Sequence, residues 1–144
     1  MATLKISELS VGDWVKVILS KCDYDESDAV DAKVLSIEGN SVGVGYDNSG
    51  IFMSALVEDL QPIPITAEVL EKNGFVKSDD FLHKIDLPDN ILLGVRRQTD
   101  GYIFELKREK RRIGELLVII RGIRNIHQLQ HALRLAGVDK EINL

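Results

Sequence analysis

ILLGVRRQTDGYIFELK, Ile91 to Lys107, is the stretch whose reading decides the fold. Two runs rich in Ile, Leu, Val, Tyr and Phe flank Asp100-Gly101, a residue pair that tolerates the positive φ of a two-residue hairpin. Antiparallel strands are therefore expected over Ile91–Arg97 and Tyr102–Lys107. Upstream, Leu87-Pro88-Asp89-Asn90 reads as a turn. Before it, Phe81, His83, Ile85 and Leu87 alternate onto one face of a further strand. Downstream, a charged loop leads to a strand over Glu115–Arg121.

Helices bracket this meander. Thr66 can cap a helix over Ala67–Asn73, with Glu68 and Glu71 favourably placed and Gly74 as its stop. Asn125 caps a second, amphipathic helix that Gly137 ends, and a short terminal strand follows. At about 100° per residue, Ile126, Leu129, Ala132, Leu133 and Ala136 share one arc, expected to be core. His127, Gln130, His131 and Arg134 share the opposite arc, expected to face water or a partner. No strand pair encloses a helical crossover, so the class expected is α+β rather than βαβ.

The first sixty residues read differently. Val11-Gly12-Asp13 turns into Trp14–Leu19, an acidic polar loop spans Ser20–Asp31, and strand patterns follow over Ala32–Ile37, Ser41–Tyr46 and Phe52–Leu56. Glu38-Gly39-Asn40 and Asp47-Asn48-Ser49-Gly50 are turn sequences. Short strands with tight turns predict a small β-barrel of the Src-homology or KOW type over 1–61, with a small open sheet as the alternative. Prolines at 62 and 64 favour extended backbone and mark 62–65 as a linker, leaving 66–144 as the α+β domain.

Composition bounds the function. Among 144 residues, 44% are hydrophobic and 28% charged, the balance of a globular chain. The longest apolar runs fall far short of the roughly 20 residues that span a bilayer, and MATLKISELS carries no signal-peptide core, so a cytoplasmic protein with no membrane partner is expected. Cys22 is the single cysteine, which excludes an intramolecular disulfide, and its acidic neighbours give no reason for a reactive thiolate. Residues 1–65 hold 4 basic and 11 acidic side chains, whereas 66–144 hold 14 and 12. Oppositely charged halves are compatible with a homo-oligomer.

Candidate chemistry is sparse. His127 and His131 stand four apart on one helical face, but His-Gln-Leu-Gln-His lacks the glutamate of a zincin, and no third ligand is apparent. His83 falls among apolar residues without a nucleophile beside it. The loop from Asp23 to Asp28 fails as a calcium loop, because Asp28 stands where the EF-hand needs glycine and Val34 where it needs glutamate. The glycines at 39, 43, 45 and 50 form no phosphate fingerprint and read as turn and strand punctuation. No catalytic, metal or cofactor residues are therefore assigned, and no cofactor is expected. Lys107, Arg108, Lys110, Arg111 and Arg112 are a basic hairpin tip suited to nucleic-acid phosphates, with Arg96 and Arg97 on the neighbouring strand. Trp14, beside a turn, is a candidate platform for a protein partner, together with His127, Gln130, His131 and Arg134.

Three stretches carry a resemblance: Leu9-Ser-Val-Gly-Asp-Trp-Val15, Pro62-Ile-Pro-Ile-Thr-Ala-Glu-Val-Leu-Glu-Lys-Asn-Gly-Phe75, and His127-Gln-Leu-Gln-His-Ala-Leu-Arg-Leu-Ala-Gly137 with Glu141-Ile-Asn-Leu144. In this order and spacing they resemble a family of small uncharacterised Bacteroidetes proteins often found near prophage or other mobile-element genes. The resemblance implies a phage-related setting and brings no activity, cofactor or active site. The leading expectation is a non-enzymatic macromolecule-binding or accessory protein with a protein partner. A nucleic-acid-associated module using the basic tip is the alternative, and an enzyme the third reading.

Overall fold

The computed structural model describes residues 4–18, 29–46, 51–110 and 113–144. The chain divides into two units, Met1–Ile63 and Pro64–Leu144. The boundary falls within the proline-bearing segment.

The first unit is one antiparallel sheet of β1 (Trp14–Ile18), β2 (Ala29–Glu38), β3 (Ser41–Tyr46), β4 (Ile51–Leu56) and β5 (Leu60–Gln61), in the order β4-β3-β2-β1-β5. Strict alternation builds its core. Val15, Val17, Ala32, Val34, Val42, Val44 and Ala55 all point inward, joined by Leu4, Leu9 and Leu60. The turn before β1 is stapled to β2: the Gly12 amide donates to the Val34 carbonyl at 2.7 Å, and the Val34 amide to the Asp13 carbonyl at 2.9 Å. Gly12 supplies the positive φ of 94° this requires.

The second unit runs α1 (Ala67–Lys72), β6 (Val76–Lys77), β7 (Leu82–Leu87), β8 (Ile91–Gln98), β9 (Gly101–Lys110), β10 (Ile113–Ile123) and α2 (Ile126–Leu135), with its antiparallel sheet ordered β10-β9-β8-β7-β6. Leu93, Val95, Phe104 and Leu106 occupy one face of the sheet, in the pairs Val95–Phe104 and Leu93–Leu106, and are fully or almost fully buried. Removing a ring such as Phe104 from that packing costs about 3–5 kcal/mol. Thr66 caps α1 by accepting from the Val69 amide at 3.2 Å. Gln128 Oε1 accepts from the Asn125 and Arg124 amides at the start of α2, and Gly137 leaves it at φ 71°.

Several expectations are corrected. The α+β class with an N-terminal barrel gives way to a mostly-β chain of two antiparallel sheets and few helices. No barrel closes among the described residues: β4 and β5 are the two ends of the first sheet, and β5 pairs only with Lys16 and Val17 of β1. The ladder between β8 and β9 pairs Gln98 with Gly101, so Thr99-Asp100 form the loop and Gly101 belongs to the strand. There Gly101 has φ 130°, and a Cβ on it would lie 2.7 Å from the Ile123 carbonyl oxygen, so glycine is required by close approach as well as by conformation. The charged loop expected after Lys107 is strand instead, β9 continuing to Lys110 and β10 starting at Ile113. No terminal strand follows α2. Ile142 is buried instead, and Asn73 clamps Asn143, with Nδ2 donating to its carbonyl at 2.8 Å and Oδ1 accepting from its amide at 2.7 Å.

Candidate functional site

Regular alternation breaks once among the described residues of the first sheet, and a surface feature grows from the break. Between Val34, opposite Val44, and Ser36, opposite Gly43, β2 carries an extra residue. That bulge turns both Leu35 and Ser36 outward while Val34 and Ile37 stay on the inner face. On the facing stretch of β3 the outward positions are Gly43 and Gly45, which have no side chains to present. A Cβ on Gly45 would sit 2.8 Å from Leu35 Cδ1, so Leu35 leans across the bare strand. A Cβ on Gly43 would collide with Ser36 Oγ. Beyond β3, the outward residues of β4 are Phe52, Ser54 and Leu56. Phe52, paired with Gly45, is 75% exposed. The result is a shallow trough over two glycines, partly covered by Leu35 at Gly45 and by Ser36 at Gly43, with Phe52, Ser54 and Leu56 as its far wall. Ser41 Oγ and Ser54 Oγ share a 2.8 Å hydrogen bond at the Leu56 end.

One register row crosses the sheet through this trough: Trp14, Lys33, Gly45 and Phe52 face one another in succession on β1 to β4. With strands about 4.8 Å apart, Lys33 and Phe52 stand about 10 Å from each other across the glycine. The Lys33 ammonium lies 5.1 Å from the Trp14 ring centroid, within cation–π range. Trp14 is only 9% exposed, so in place of a partly exposed platform for a partner it is a buried ring with a lysine over one face. Lys16 and Asp31 pair at 4.0 Å on the same side of the sheet.

The remaining expected residues are scattered. His127 is 2% exposed and Gln130 is also buried, which corrects the water-facing arc expected of α2; His131 is half-buried and Arg134 exposed. The two imidazoles meet edge to face, with centroids 5.9 Å apart. His83, buried on the sheet, has Nε2 3.4 Å from Glu71 Oε1. Among the described residues no three His, Cys, Asp or Glu side chains gather in a metal-holding cluster.

The basic tip is only partly described. Arg111 and Arg112 lie outside the described residues, as do Cys22 and the acidic loop to Asp28. Lys107 pairs with Glu105 at 3.4 Å, and Arg108 is exposed. Lys107 also lines a groove of about 430 Å³ in which Lys84, Asp86 and Glu109 alternate in charge. Arg108 faces Ile91 and Arg97 faces Tyr102, six residues along β8, or about 20 Å. Arg96 and Arg97 are therefore not joined to the tip; Arg97 sits 5.7 Å from the Phe81 ring instead.

Sequence reasoning passed over Leu35, Gly43, Gly45 and Phe52. The signal was present in part: Gly-x-Gly on a strand leaves two bare positions on one face, and alternation with Met53 and Ala55 turns Phe52 outward. The bulge at Leu35 had no such signature. No helix among the described residues is long and apolar enough to cross a membrane. No protein-family model matches the chain, and no curated protein and no solved structure matches it.

Proposed function

We propose that the protein is a non-enzymatic macromolecule-binding module that takes a protein partner on the outer face of its first sheet. The observation that carries this reading is Phe52, three-quarters exposed beside a strand stripped of side chains at Gly43 and Gly45. An aromatic ring left in water beside a strand with no outward side chains of its own at two positions is the arrangement of an interface anchor, which gains its energy only when a partner covers it. The trough suits an apolar partner side chain packed against Phe52 and the exposed flank of Leu35 that overlies Gly45. The unit that bears it carries 4 basic and 11 acidic residues over 1–63, which repels a phosphate backbone and favours a protein segment with basic flanks. The phage-related setting implied by the resemblance belongs to this reading as an accessory role.

Two variants test it without touching the core. Phe52→Ser removes the anchor. Gly45→Ala fills the floor, at small cost because the atom it meets is the outer methyl of a partly exposed leucine. Tagged wild type and variants are used to capture partners from host lysate, with and without nuclease, followed by quantitative mass spectrometry. A protein recovered by wild type, insensitive to nuclease and lost by both variants supports the reading. Equal recovery by all three proteins overturns it, and nuclease-sensitive recovery transfers the function to the basic tip.

A further inference from the structure

We infer that β10 is a self-association edge, pairing antiparallel with β10 of a second copy about a two-fold axis at Ile119. The strand ends its sheet, with β9 on one side and no strand on the other among the described residues. It is 11 residues long and has no lysine and no proline, and the protections it does carry are Glu115, Arg121 and two bulges. Leu116, Leu117 and Ile119 are 51%, 36% and 40% exposed along it. Beyond Ile123 the backbone is already engaged, since Pro64 bridges Asn125 and the Ile65 amide donates to the Arg124 carbonyl.

The bulges choose the partner. On β9, Leu106 and Lys107 are consecutive but face Val118 and Leu116, so β10 has one extra residue at Leu117. Tyr102 and Phe104 face Ile123 and Ile120, which gives a second extra residue at Arg121-Gly122. An unrelated strand laid along this edge meets two kinks it does not share. A second copy of β10, reversed about Ile119, brings Leu116-Leu117 opposite Arg121-Gly122, so that each doublet is matched by a doublet and the ladder keeps step. In that register Ile119 faces itself, Val118 faces Ile120 and Leu117 faces Arg121. Leu116, more exposed than Leu117 or Ile119, faces Gly122, around whose Cβ position there is open space. Glu115 faces Ile123, so no like charges oppose. Centred one residue earlier, on Val118, the doublets fall out of step and side chains on opposite faces of the sheet are forced together. The interface is isologous and closes as a dimer. Nine residues a side, Glu115 to Ile123, is fewer than the roughly 20–30 of a standard interface, so the dimer is weak and depends on concentration.

Light scattering on the full chain over a concentration series up to about 1 mM, which reaches the weakest specific affinities, is the first test. The expected result is a rise in mass from 16.1 kDa towards twice that value. Ile119→Lys, at an exposed position, sets two cations opposite each other and should hold the protein monomeric with an unchanged circular dichroism spectrum. In a Cys22→Ser background, Ile119→Cys should form a disulfide-linked dimer under mild oxidation. Leu116→Cys should not link to itself, and Leu117→Cys should link to Arg121→Cys when the two are mixed, a pair that leaves Gly122 at its positive φ of 73° untouched. A monomer throughout the series overturns the proposal, as does a dimer that survives Ile119→Lys or cross-links at Leu116 as readily as at Ile119.

Discussion

Asn73→Ala is the perturbation whose consequence can be followed furthest. Asn73 closes α1, and its side chain spans to the end of the chain, donating to the Asn143 carbonyl at 2.8 Å and accepting from the Asn143 amide at 2.7 Å. A further bond to the Val69 carbonyl is local to the helix end and readily replaced by water. The two long-range bonds contribute about 1 kcal/mol each after exchange with solvent. A loss of about 2 kcal/mol follows if the tail stays docked by Ile142, which is 1% exposed. If the tail releases, the burial of that isoleucine is lost too, adding about 2 kcal/mol. For a unit of this size each kcal/mol moves the midpoint by about 4–8 °C, so thermal unfolding followed by circular dichroism resolves the two cases. Hydrogen exchange at the Ile142 and Asn143 amides separates them independently. Asn73→Asp separates the donor half of this clamp from the acceptor half. It keeps the oxygen that accepts from the Asn143 amide and sets a second oxygen against the Val69 and Asn143 carbonyls, so this variant should be less stable at neutral pH than in acid, where a proton restores the donor, while Asn73→Ala should show no such dependence. A loss below about 0.5 kcal/mol for Asn73→Ala, with tail protection unchanged, would refute the reasoning.

Gly101→Ala should cost about 3 kcal/mol or fail to fold, because φ 130° and the Ile123 carbonyl 2.7 Å from the new Cβ both oppose it; near-wild-type urea stability would contradict this. Asp79 accepts from the Phe81 and Leu82 amides at 2.8 and 2.9 Å, bonds that, the Phe81 one foremost, hold its pKa below that of an ordinary aspartate, with Arg96 assisting. A group depressed in this way stabilises the fold above its unfolded pKa and ceases to as pH falls through the folded one, so its carboxyl resonance should titrate below its neighbours; a midpoint at or above an ordinary aspartate's would count against it. Thr66→Ala removes the acceptor for the Val69 amide and should cost about 1 kcal/mol, measured by urea unfolding against Thr66→Ser, which should retain the cap.

Local chemistry made much of this fold legible. Val15 and Val17, Val42 and Val44, and Phe104 and Leu106 lie on the inner faces that period-two alternation requires. Thr66, Asn125 and Gly137 sit at the helix ends where their backbone chemistry places them. What the pattern could not carry was anything settled by register or by a third body. A bulge inserts one residue without a compositional mark, so the outward turn of Leu35 is invisible in KVLSIE. The charges of Lys107 to Arg112 suggested a loop, yet on a two-stranded extension side chains can stay solvated while the ladder continues, and β9 and β10 do so. A helical wheel allots one buried arc. Burial of His127 and Gln130 as well as Leu129 and Leu133 means that α2 is covered around more of its circumference than hydrophobicity alone would assign. Barrel closure is likewise a matter of whether two edges meet, and two residues of β5 carry little information about that.

The single tryptophan gives the protein an optical handle on its own surface. Trp14 emits beneath the Lys33 ammonium, and Lys33 is the neighbour of Gly45 in the row that ends at Phe52. Indole fluorescence responds to a nearby charge and to the water around it, so any group that settles on the glycine floor and draws Lys33 towards itself will change the wavelength or intensity of that emission. Occupancy of the trough can thus be followed in unlabelled protein, in a titration cuvette, one candidate peptide at a time.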